Sequence, residues 1–166
     1  MRRVQAVGAF VAGALLASGG ALFWVGQRER VADNATWQQP VVTIDDKQAV
    51  AVAQQWDAPF EIRYAAADPD IDVVRGVTGW DTGTGSTVGG KAFPPTLDGD
   101  RITHCAILVN HEHVTDAVLA HEIGHCLGLH HSTDPARLMY EVTGSPRSAI
   151  GVTDADRTAL RRLYSD

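Results

Sequence analysis

The stretch H-E-I-G-H-C-L-G-L-H-H, His121 to His131, holds four of the seven histidines in a chain of 166 residues. A buried imidazole without a partner is costly, and crowding several on a surface serves no folding purpose, so the cluster implies a shared ligand. Apolar residues at Val114, Val118, Leu119, Ile123 and Leu127 recur with a helical period, so Val114–Leu127 reads as a helix packed along one side. On such a helix His121 and His125 lie one turn apart on the same face. Both can reach one metal ion at about 2.0–2.1 Å, a distance that suits zinc. Gly128 can take a positive φ, which ends the helix and turns the chain back toward the ion. His131 then supplies a third nitrogen, with His130 as its rival. Three neutral nitrogens leave the fourth tetrahedral position to water, as in a catalytic rather than a closed structural site.

Glu122 stands beside the first ligand, where its carboxylate can reach water at the metal without occupying the ion, so its expected role is general base. The short H-E-x-x-H pattern alone arises by chance in roughly one chain in fifty of this size. Adding Gly128 and His131 cuts that chance by a further factor of about 400, which makes coincidence a minor reading.

The first thirty residues differ in kind from the rest. Arg2 and Arg3 lead into an apolar run from Val4 to Gly26, which reads as a targeting segment. Ala17-Ser18-Gly19 offers a cleavage site, so residues 1–30 suit a signal peptide; as a helix the run would span roughly 34 Å, so they also suit a retained membrane anchor. In either case the expectation is an extracytoplasmic protein, secreted or membrane-anchored. Residues 1–30 carry four of the 14 basic and one of the 20 acidic side chains, leaving 10 against 19 and a formal charge of −9 beyond them. Such an acidic chain is not expected to bind nucleic acid. The remaining length suits one domain, expected over residues 41–166 after a spacer or first arm at residues 31–40, and acting as a monomer.

Within it, Ala49–Trp56 suits a short helix, Phe60–Tyr64 alternates like a half-buried strand, and a second strand is expected near Ile71–Val77. The glycine- and threonine-rich residues 76–99 read as loop, with an edge strand around Ser86–Phe93. Ile102–Asn110 reads as a buried strand and Thr153–Tyr164 as a final helix, capped by Thr153 with Asp156. The only cysteines are Cys105 and Cys126, in the segment placed outside the cell. Cys126 is rotated by about 100° from His125 on the helix, toward the body of the domain, so a Cys105–Cys126 disulfide is expected.

The long signature H-E-x-x-H-x-x-G-x-x-H, followed by A-R-L-M-Y with Met139, resembles that of the metzincin zinc metalloproteases. The run H-H-S-T-D-P-A-R-L-M-Y and the closing V-T-D-A-D-R-T-A-L-R-R-L-Y-S-D are most similar to the matrixin family. The resemblance is strong from His104 to Tyr140, moderate for the last helix and weak before. It implies a zinc endopeptidase that takes protein or peptide substrates in extended form. The implied fold is an α+β zincin domain: a twisted, mostly parallel mixed sheet with an antiparallel edge strand above the cleft, one helix behind it, the active-site helix and a C-terminal helix. It also selects His131 over His130, places Met139 as an apolar floor beneath the zinc, and leaves Tyr140 too close to the methionine to act as a ligand.

Departures from the family pattern matter as well. No P-R-C-G-x-P-D-like segment precedes the domain, so cysteine-switch latency is not expected. The glycine-rich segment lacks the family's histidine and aspartate series, so one zinc is expected, with calcium at Asp68–Asp72 a lesser candidate. His104, His111 and His113 flank the strand before the active helix; His111 and His113 could bind a second metal but read rather as an exposed loop. Two other functions fit the same residues: a catalytically silent zinc module that binds peptides, for which Glu122 would be superfluous, and a zinc amidase or deformylase acting on a small substrate.

Overall fold

The computed structural model describes residues 34–76, 89–110, 114–141 and 151–165. The expected leader and His111 and His113 lie outside them. Among the described residues no helix is long and apolar enough to cross a membrane.

Immediately after Pro40, four β-branched residues form β1 (Val41–Ile44), a strand the periodicity reading passed over. Asp46 then caps α1 (Lys47–Ala53) by accepting from Ala49 N at 2.8 Å, so the helix starts two residues before the expected Ala49. A 3₁₀ turn, Gln54–Trp56, closes it and buries Trp56 completely. There follow β2 (Glu61–Tyr64), β3 (Ile71–Arg75), β4 (Gly90–Ala92), β5 (Thr96–Asp98) and β6 (Arg101–Val109). The two remaining helices are α2 (Asp116–Cys126), capped by Thr115, and α3 (Asp154–Leu163), capped by Thr153 and Asp156 in a reciprocal box.

The six strands make one twisted mixed sheet in the order β2-β1-β3-β6-β4, with β5 hairpinned onto β6. β1 pairs in parallel with β2 and β3, and β3 with β6, while β4 and β5 run antiparallel to β6. This is the α+β architecture the resemblance implies. β2 ends the sheet on one side, so its alternation buries little: Ile62 is only half-buried and Tyr64 is 45% exposed. The edge strand expected over Ser86–Phe93 is found at Gly90–Ala92, and β3 ends at Arg75, short of the expected Val77.

One face of the sheet carries Val42, Ile44, Ile71, Val73, Ile102, Cys105, Ile107 and Val109 into a core shared with α1 and α2. Strict alternation along β6 would not bury both Ile102 and Cys105. A bulge opposite Thr96/Leu97 shifts the phase by one residue, and both reach the core. Residues 34–40 take the form of an arm that belongs to the domain. Thr36 N donates to Asp100 O at 3.0 Å, Ile102 N donates to Thr36 O at 2.8 Å, and Ala35 and Trp37 are buried.

Candidate metal centre

α2 is the helix that carries the site, and its C-terminal end is closed bond by bond. Gly128, at φ +95°, reverses the chain; its N–H donates to His125 O at 2.9 Å and Leu129 N–H to Gly124 O at 3.0 Å. The next two carbonyls are met from elsewhere in the chain: Trp37 Nε1 donates to Cys126 O at 2.9 Å and the Tyr164 hydroxyl to Leu127 O at 3.0 Å. Burial pushes the Tyr164 phenol up to about 12, so it keeps the proton it donates. The orphan acceptors of a helix end are thereby satisfied without water. A side chain at 128 is excluded twice over, by the positive φ and because a β-carbon there would lie 2.5 Å from Ala35 O.

The reversal brings His131 back over the helix. Its Nε2 lies 3.2 Å from His121 Nε2 and 3.1 Å from His125 Nε2, and those two are 3.2 Å apart. His121 Nδ1 lies 2.8 Å from Leu138 O and His125 Nδ1 2.8 Å from Leu129 O. A carbonyl oxygen only accepts, so both Nδ1 atoms carry the proton and both Nε2 atoms present lone pairs to the centre. Two inward lone pairs with a third imidazole nitrogen 3.1–3.2 Å from each form a donor set for a cation. A tetrahedral zinc with bonds of about 2.0–2.1 Å sets its ligand atoms roughly 3.3–3.4 Å apart, close to the triangle found. The donor set therefore fits zinc. Burial, and then the charge on His121, push the His125 imidazole down to about 3; the same two causes lower His131, so both stay in the neutral, ligating form at neutral pH.

His130 is exposed and takes no part in the cluster. Among the described residues, His121, His125 and His131 are the one group of three side chains able to hold an ion. Two of the three carboxylates of Asp68–Asp72 are committed otherwise: Asp70 Oδ2 accepts from Thr43 N at 2.7 Å and Thr43 Oγ1 at 2.8 Å, and Asp72 Oδ2 meets His104 Nε2 at 2.8 Å. A calcium site there gains no support.

Glu122 Oε2 accepts from Ala92 N at 2.6 Å, which tethers the carboxylate to the edge strand β4. The strand can pass this close because of Gly90, where a β-carbon would stand 3.0 Å from Glu122 Cγ and 3.1 Å from Val118 Cγ1. Burial pushes the Glu122 carboxyl above the usual range, opposed by His121, the Ala92 N–H and Lys91. Met139 is buried against the helix, with Gly124 between it and Trp56, and Trp56 Nε1 donates to Ala120 O at 3.1 Å. A disulfide joins Cys105 of β6 to Cys126, the residue after His125, with Cα atoms 5.6 Å apart.

Two histidines on a helix, a third beyond a glycine reversal and a buried methionine turn belong to a known pattern, and the family model for matrixins, peptidase M10, matches residues 31–165. The chain belongs to the matrixin family. Matrixins are zinc metalloproteases, and this domain has their fold. No curated protein matches the sequence.

The sequence reading had no means of finding the backbone partners Leu129 O, Leu138 O and Ala92 N, because every residue carries these groups. It also gave no role at the site to Trp37, Trp56 and Tyr164, each of which reaches the segment of α2 from elsewhere in the fold. Gly124 did carry a signal: a glycine inside a helix marks a close approach.

Proposed function

We propose that this matrixin is an endopeptidase in which His121, His125 and His131 hold one zinc and Glu122 is the general base. The observation that supports it most is the convergence of three Nε2 atoms at 3.1–3.2 Å beside a half-buried carboxylate tethered at 2.6 Å to the edge strand. Zinc, when bound, supplies Lewis acidity that favours ionisation of water and polarises a carbonyl oxygen.

The chain's own residues do the rest. Glu122 takes a proton on its carboxylate as water attacks the peptide carbonyl carbon, and returns it to the leaving amine nitrogen. The Nδ1–H bonds to Leu129 O and Leu138 O fix the rings of His125 and His121 throughout. β4 pairs with β6 on one side and ends the sheet on the other, so an extended substrate can add a strand there.

Beyond His131 an open cavity of about 420 Å³ is lined by His131, Ser132, Thr133, Tyr140 and Glu141. We assign it the residue after the scissile bond, with broad cleavage and a modest preference for a medium-sized apolar side chain; sequencing the cuts in a mixed peptide library tests this. The Cys105–Cys126 disulfide and the apolar leader support action outside the cytoplasmic membrane.

The deciding experiment is zinc analysis and peptide digestion by the wild type and Glu122→Ala. One zinc per chain in both proteins, with cleavage reduced about 10²–10⁴-fold in the variant and abolished by chelator, is the expected result. A folded wild type free of zinc, or undiminished cleavage by Glu122→Ala, would refute the mechanism. Zinc binding without any cleavage by the wild type would favour a peptide-binding module.

A further inference from the structure

α3 supplies none of the three nitrogens, yet its first turn is connected to one of them. Asp156 is fully buried. Its Oδ2 accepts from Leu138 N at 3.0 Å, Thr153 Oγ1 at 2.5 Å and Thr153 N at 3.1 Å, and its Oδ1 accepts from Arg137 Nε at 3.1 Å. Arg137 Nη2 also donates to Ala155 O at 2.8 Å. On the far side of the same loop residue, Leu138 O accepts the Nδ1–H of His121 at 2.8 Å. A helix cap needs only the exchange with Thr153. The bonds to Leu138 and Arg137 go beyond it.

We propose that Asp156 is a positioning residue for the metal centre: it holds the Leu138 main chain, so that the Leu138 carbonyl fixes the ring of His121 and thereby sets how tightly the three histidines hold zinc. This rests on the reading that zinc binds there.

The two ring anchors differ in how they are held. Leu129 O, which orients His125, follows directly on the helix reversal at Gly128. Leu138 O lies on the loop between His131 and Met139, whose own bonds run from Asp134 N to Ser132 Oγ, Ala136 N to Asp134 Oδ1, Arg137 N to Asp134 O, Tyr140 N to Arg137 O and Ser132 N to Met139 O, while the Leu138 N–H goes to Asp156. The position of Leu138 within it is therefore taken from Asp156. A carbonyl free to drift lets the His121 ring rotate or exchange its tautomer, and either change turns the Nε2 lone pair away from the ion. Partners one step from a metal ligand are worth 10–100-fold in metal affinity. Asp156 acts one residue further out, so the low end, about 10-fold, is expected.

The test uses the full chain and two readouts, zinc affinity by competition with a chromogenic chelator and the visible absorption of the cobalt-substituted protein. Asp156→Asn keeps the shape but loses the charge that holds Arg137 and Leu138 together; Thr153→Ala weakens the α3 cap while leaving the Leu138 bond. Zinc binding about 10-fold weaker, with altered cobalt bands, is expected in Asp156→Asn, against affinity within twofold of wild type in Thr153→Ala. Equal affinity in folded Asp156→Asn and wild type would overturn the inference, and so would equal losses in both variants, which would mark a merely structural cap. Should Asp156→Asn fail to fold, Arg137→Gln takes its place, because that side chain is 22% exposed; a loss of threefold or more supports the proposal and unchanged affinity overturns it. Absence of zinc binding in the wild type would instead overturn the metal-centre reading, and this inference with it.

Discussion

Gly124→Ala sets two opposed effects against each other at the helix that carries His121 and His125. A β-carbon at 124 would lie 2.5 Å from Met139 Sδ and 2.7 and 3.0 Å from two atoms of the Trp56 ring. Ordinary carbon contacts are about 3.5–4.0 Å, so roughly 1 Å of displacement is demanded on each side. Met139 is 1% and Trp56 0% exposed, so neither has solvent to move into. The Met139 side chain is flexible in principle, but its main chain is held by Ser132 N at 2.7 Å, and the Trp56 indole by Ala120 O at 3.1 Å. Alanine in place of glycine gains about 1 kcal/mol of helix propensity, while overpacking a closed core costs about 1–3 kcal/mol. A clash on two sides belongs at the upper end of that range, so a net loss of about 1–2 kcal/mol is expected. Urea unfolding of wild type and variant, both with the disulfide intact, measures it. The Met139→Ala/Gly124→Ala double variant should lose less than the two single losses combined, because the space left by one takes up the other. A Gly124→Ala protein as stable as the wild type, or more so, would refute the packing argument, because it would mean that Met139 and Trp56 can part without cost.

The disulfide closes a loop across a sequence separation of 21 residues, so Cys105→Ser/Cys126→Ser should lose about 3 kcal/mol of unfolding free energy, read from denaturant midpoints; a loss under about 1 kcal/mol would show that the core alone pins α2 to β6. Trp37→Phe keeps an aromatic ring but removes the indole N–H along with part of the ring volume, leaving the buried Cys126 carbonyl without its donor, so at least about 1–3 kcal/mol should be lost, with thermal unfolding as the measurement. Burial raises the Asp156 carboxyl, but the bonds from Thr153, Leu138 and Arg137 outweigh it, and the Arg75 guanidinium leads the causes that lower Asp46. Both folded values lie below the unfolded ones, so their stabilisation is present above about pH 4 and is lost as pH falls through the folded values; Asp156→Asn should flatten the decline in denaturant midpoint between about pH 5 and pH 2. Zinc at about 100 times its dissociation constant should add roughly 2.7 kcal/mol to stability, and chelator should remove it, as followed by scanning calorimetry.

Whatever depends on near neighbours in the chain was open to reading. The i, i+4 spacing of His121 and His125 needs only helical geometry, Gly128 needs only its freedom to take positive φ, and Thr153 with Asp156 needs only a helix start. β1 could have been read as well, since Val41–Ile44 is wholly β-branched, but four residues are too few for periodicity to distinguish. The alternation in Phe60–Tyr64 marked a strand correctly and its burial poorly, because burial depends on the neighbours a strand acquires and β2 acquired one.

The tertiary structure decided which groups complete the site. Asp156 was legible as a cap, but its hold on Leu138 spans 18 residues and exists only because α3 packs against the methionine turn. Trp37 reaches Cys126 across 89 residues and Ala92 N reaches Glu122 across 30. Such bonds leave no periodic trace, because a backbone carbonyl or N–H is the same at every position and acquires a partner only when folding removes the water that would otherwise satisfy it. The sequence thus determined the three histidines and their spacing. The fold determined the orientation of their rings, through donors and acceptors that distant segments bring to them.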